Sequence, residues 1–86
     1  MKLSETFILH NDGEETVLVS TGDSEFSGIV KLNPSAASIV GLFKEDTDEE
    51  QVIQKMLEMF DAPRETIERD VNKVVSQLRE IGAIIG

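Results

Sequence analysis

Cysteine is absent from this chain of 86 residues, which excludes disulfides, thiolate zinc sites, cysteine-held iron–sulfur clusters and a cysteine nucleophile. Histidine occurs once, as His10. No histidine pair can therefore hold a metal, and any Ser–His–Asp array would depend on this one residue. Cations are scarce: 8 Lys and Arg stand against 17 Asp and Glu, a formal charge of -9. Nucleic-acid binders and proteins docked on anionic membranes both rely on clustered bases, so this balance opposes both. No apolar run approaches the ~20 residues of a spanning helix. Met1-Lys2-Leu3-Ser4-Glu5 lacks the apolar core of a signal peptide. The expectation is a soluble cytoplasmic protein. Gly22 and Gly28 belong to no phosphate-binding pattern. The acidic run 45–50 lacks the alternate spacing and central glycine of a calcium loop, which leaves capping and solubility as its roles. Neither a cofactor nor a metal nor catalysis is expected.

What is present is a 40% apolar composition, enough for one small core. The pattern changes near residue 33. Before it, β-formers come in short runs at about 6–10, 15–20 and 25–32. They are separated by Asn11-Asp12-Gly13 and Thr21-Gly22-Asp23-Ser24, so an antiparallel meander is expected. In the third run Val30 and Leu32 fall on one face, with Ser27, Ile29 and Lys31 on the other. After it, apolar residues recur at helical spacing over about 34–43, 48–60 and 63–81. Asn33-Pro34 reads as a cap followed by proline at the first helical position. Thr47 with Glu50 has the form of a capping box. The last helix carries a stripe of Ile67, Val71, Val74, Leu78 and Ile81 and stops at Gly82. Ala83-Ile84-Ile85 is apolar enough to tuck back or to add a short strand. The fold expected is α+β, one domain spanning 1–86, with three strands followed by three helices that cover one face of the sheet.

With site chemistry excluded, interaction remains. In a simple meander the third strand is an edge, and residues 26–31 carry no proline and only one charge, Lys31. Such an edge suits β-augmentation by an extended peptide. On the last helix, Arg64, Glu68, Asn72, Val75 and Arg79 form a second strip beside the core stripe. Val75 either widens the core face or offers a foothold in a wall for a bound segment.

The stretch Gly28-Ile29-Val30-Lys31-Leu32-Asn33-Pro34-Ser35-Ala36-Ala37-Ser38-Ile39 resembles the strand-to-helix core of the pyrroloquinoline quinone biosynthesis protein D (PqqD) family. The acid-started segment 47–60, ending at Asp61, is similar to that family's second helix. Ile67-Glu68-Arg69-Asp70-Val71 with Leu78, Ile81 and Gly82 is similar to its third. The likeness covers about residues 5–85. It implies a winged helix-turn-helix-like, non-catalytic recognition element for ribosomally made peptides. Such a chaperone binds a precursor's leader and presents it to a maturase, often a radical S-adenosylmethionine enzyme. The resemblance implies strand contacts from Ser27, Ile29, Val30 and Lys31, and a helix wall from Glu68, Asn72, Val75 and Arg79. Val40 and Lys44-Glu45-Asp46 depart from the family's usual residues, which bears on the pathway and not on the groove.

Two other classes fit the same architecture. A winged-helix DNA-binding regulator would need a basic recognition helix. The last helix instead sets Arg64, Arg69, Lys73 and Arg79 against Glu65, Glu68, Asp70 and Glu80. A homodimeric structural module could use the third strand's edge on itself.

Overall fold

The computed structural model describes residues 1–20 and 28–85. Its elements are β1 (Lys2–Leu3), β2 (Phe7–Asn11), β3 (Thr16–Ser20), β4 (Ile29–Leu32), α1 (Pro34–Leu42), α2 (Glu49–Met59), α3 (Arg64–Glu80) and β5 (Ile84–Ile85). The architecture is α+β, with β2, β3 and β4 forming an antiparallel sheet in that order. Residues 25–27, expected to begin the third strand, and the turn at 21–24 lie outside the described residues.

Local chemistry explains most of the boundaries. Between β2 and β3, the Asn11 and Asp12 side chains fold back on the chain. Asn11 Oδ1 accepts from Gly13 N–H at 2.7 Å, and Asp12 Oδ1 accepts from Glu15 and Glu14 N–H at 2.8 and 3.0 Å. Those donors, Glu15 foremost, hold the Asp12 carboxyl below its ordinary range. Asn33 caps α1 by accepting from Ala36 N–H at 2.7 Å, with Pro34 at the first helical position. At α2 the cap is one residue later than the sequence suggested. Asp48 Oδ1 accepts from Gln51 N–H at 2.8 Å, while Thr47 Oγ1 donates to the Gln51 side chain at 3.1 Å. The charged Asp48 carboxylate is the stronger acceptor and takes the helix amide, while the Thr47 hydroxyl serves a side chain. Glu50, freed from the box, pairs with Arg64. The end of α3 is closed by a paired backbone motif: Ala83 N–H donates to Leu78 at 2.7 Å and Gly82 N–H to Arg79 at 3.2 Å. Gly82 sits at φ 73°, a conformation that glycine reaches without a side-chain clash.

That reversal returns Ile84–Ile85 to the body, where it pairs with β1 in the register Lys2↔Ile85 and Leu3↔Ile84. Leu3 N–H also donates to Phe43 C=O at 2.7 Å, so β1 bridges the end of α1 and the C-terminal strand. The sequence left the fate of 83–85 open and did not anticipate β1, because two residues carry no periodicity. Leu18 of the sheet, Ile39 and Val40 of α1, Phe43, Val52 of α2 and Val71 of α3 are completely buried. The helices thus close one face of the sheet over a single core. No helix among the described residues is long and apolar enough to cross a membrane.

Candidate functional site

Strand register decides which backbone groups of β4 are available. Ser20 N–H donates to Gly28 C=O at 3.2 Å, and Ser20 stands opposite Gly28 in a ladder that continues Val19↔Ile29, Leu18↔Val30, Val17↔Lys31 and Thr16↔Leu32. Hydrogen-bonded and non-hydrogen-bonded pairs alternate along antiparallel strands. Val30 and Leu32 therefore bond to β3, whereas the N–H and C=O groups of Ile29 and Lys31 point away from it. No strand pairs with that side of β4 among the described residues.

A cavity of about 460 Å³ opens beside this edge. Its floor is apolar and partly the core itself: Leu18, Ile39, Val74 and Leu78. Val30 and Leu32 form the strand wall, as their alternation predicted, and Asp70, Lys73, Gln77, Glu80 and Ile81 form the helix wall. Lys31, Asn33, Ser35 and Ala36 close the end where β4 turns into α1. On the helix wall Lys73 stands among Asp70 and Glu80; the Lys31 ammonium lies on the outer sheet face, 3.7 Å from Glu15. No group of three or more His, Asp or Glu among the described residues could hold a metal ion.

The helix residues expected to form the wall do not line this cavity. Val75 is a core residue, 3% exposed. Glu68 accepts from Arg64 Nε at 2.6 Å, and the same guanidinium reaches both carboxylate oxygens of Glu50 at 2.8 and 2.7 Å. This network joins α3 to α2. It lowers the Glu50 pKa, chiefly through the Arg64 hydrogen bond, and raises that of Arg64. Arg79 lies against Met1, with Nη2 3.8 Å from the sulfur, and Asn72 is exposed. At about 100° per residue, the Glu68–Asn72–Val75–Arg79 strip lies roughly 160° around α3 from the cavity face. The expected stripe of Ile67, Val71, Val74, Leu78 and Ile81 is correct as a core face, all but the half-buried Ile81 being buried. It has two polar flanks, and β4 lies along the one not chosen. The periodic signal for Asp70, Lys73 and Gln77 is as strong as for the other flank; only the placement of β4 separates them. Of the strand residues, Val30 and Lys31 line the cavity, with the Lys31 side chain turned, like that of Ile29, to the opposite sheet face beside Glu15, and Ser27 lies outside the described residues.

The profile of coenzyme PQQ synthesis protein D (PqqD) matches residues 5–84. The chain belongs to the PqqD family. No curated protein matches it in sequence. Two solved structures share the fold. TbiB1, in complex with the TbiA(beta) leader peptide, superposes with a TM-score of 0.82 at 21% identity, covering 100% of this chain and 96% of its own. A lasso peptide synthetase B1, complexed with the leader peptide, gives 0.77 at 22% identity, covering 99% and 96%. The PqqD-family fold therefore extends over essentially the whole chain, the β4 edge and its α3 wall included.

Proposed function

We propose that residues 1–86 form one non-catalytic peptide-recognition domain, a cytoplasmic chaperone for the leader of a ribosomally synthesised precursor peptide. The leader adds as a fourth strand to β4, hydrogen-bonded to Ile29 and Lys31. Alternate side chains enter the cavity against Val30, Leu32, Val74, Gln77 and Ile81. The bound precursor is then handed to a modifying enzyme. Its class is not restricted to radical S-adenosylmethionine maturases, since both solved relatives carry leaders and one is a lasso peptide synthetase component. The observation that carries this reading is the outward-facing backbone of Ile29 and Lys31 beside an apolar-floored groove. An edge strand with unmet donors and acceptors binds a complementary strand, and the groove supplies selectivity.

The test is titration of the isotope-labelled chain with the leader peptide of the precursor encoded next to its gene. Amide shifts at 29–32 and at Asp70, Lys73 and Gln77 support the reading; saturation without shifts there refutes it. A homodimer through β4 would occupy the same backbone groups. Light scattering over a concentration series separates the two, because a peptide-reading monomer keeps its mass.

A further inference from the structure

A strand added to β4 has two faces, and only one enters the cavity. On the other face the ladder places Ile8, Val19 and Ile29 in one row across all three strands. Ile8 is 54% exposed and Ile29 65% exposed, and both lie among the most exposed large apolar side chains of the described residues. The next row on this face is His10, Val17 and Lys31. Lys31 ends that row with its side chain 78% exposed; its ion pair with Glu15, at 3.7 Å, is long and open to solvent. Each row ends at the free edge, where the backbone of the same residue, Ile29 or Lys31, points outward. Wherever an incoming strand bonds to Ile29 and Lys31, it must set one side chain beside each of them.

We propose that this outer face is a second specificity subsite for the bound peptide, distinct from the cavity. It rests on the reading of β4 as the peptide-binding edge. The peptide residue opposite Ile29 is β-branched or aromatic and lengthens the apolar row from three residues to four. The residue two positions away, opposite Lys31, is acidic. The peptides selected thus carry an apolar and an acidic residue separated by one residue that faces the cavity, in an order set by strand direction.

The experiment uses a displayed library of random peptides of about twelve residues, panned on the full chain. One enriched peptide is then scanned position by position against the wild type and against Ile29→Thr, Lys31→Gln and Gln77→Ala. Thr keeps strand propensity while removing apolar contact. The expected result is one apolar peptide position whose replacement weakens wild-type binding about three- to fivefold and has no further effect in Ile29→Thr. An acidic position two residues away couples in the same way to Lys31→Gln, and the intervening position couples to Gln77→Ala. Coupling to Gln77 without any coupling to Ile29 or Lys31 overturns the outer subsite and leaves the groove reading standing. A library that yields no binder overturns both.

Discussion

Ile29 stands opposite Val19 in a non-hydrogen-bonded pair, so its N–H and C=O face away from the sheet. Its neighbour Val30 faces the other way and bonds to Leu18. Two adjacent residues of one short strand therefore have opposite roles, one holding the sheet and one open to a ligand.

Proline substitutions separate these roles. Ile29→Pro removes an N–H that makes no bond within the sheet, so circular dichroism and the unfolding midpoint should change little while peptide binding is lost. Val30→Pro removes a ladder bond beside the buried Leu18 and should destabilise the fold by about 1–3 kcal/mol. Retained binding in Ile29→Pro would exclude strand addition at this edge.

The two flanks of α3 should respond differently to bulk. Gln77→Trp fills the cavity and should weaken leader binding by about tenfold or more, near 1.4 kcal/mol. Asn72→Trp, on the far flank, should leave affinity within about twofold. Calorimetric titration reads both, and the reverse order would restore the wall of Glu68, Asn72, Val75 and Arg79.

Helix capping gives a stability test. Asn33→Ala and Asp48→Ala should each cost about 1 kcal/mol in denaturant unfolding. Thr47→Val should cost less than Asp48→Ala, because the Thr47 hydroxyl bonds the Gln51 side chain and not a helix amide. A larger loss at Thr47 would return the cap to that residue.

The Glu50–Arg64 pair makes stability depend on acid. Arg64 holds the Glu50 carboxyl below its ordinary pKa of 4.5, so the folded state binds that proton less tightly than the unfolded chain. The contribution is present above the ordinary carboxylate range and is lost as pH falls through the folded pKa. Thermal midpoints should decline as pH falls below the ordinary value of 4.5, and less steeply in Glu50→Gln. An unchanged slope in that variant would remove the pair from the account.

Much of this was legible in the sequence because the deciding physics is local. Asn33-Pro34, Asn11-Asp12-Gly13 and Gly82 each act through their own backbone. The alternation at Ile29, Val30, Lys31 and Leu32 assigned faces correctly from period alone. The stripe on α3 named the core face, with Val74 and Leu78 on it. What period could not choose was the flank that faces the cavity. Which flank of α3 faces β4 depends on how the helices cross, a three-dimensional relation that equal periodicity on both sides cannot encode. β1 was invisible for a related reason: Lys2–Leu3 becomes a strand only because the reversal at Gly82 brings Ile84–Ile85 alongside it.

The central claim is that a leader becomes the fourth strand of this sheet. Amide hydrogen exchange, residue by residue, with and without saturating leader peptide, tests it most directly. The account predicts that the amides of Ile29 and Lys31 exchange freely in the unbound chain and become protected on binding, while those of Val30 and Leu32 are protected throughout. Unchanged exchange at Ile29 and Lys31 in a saturated complex would contradict it.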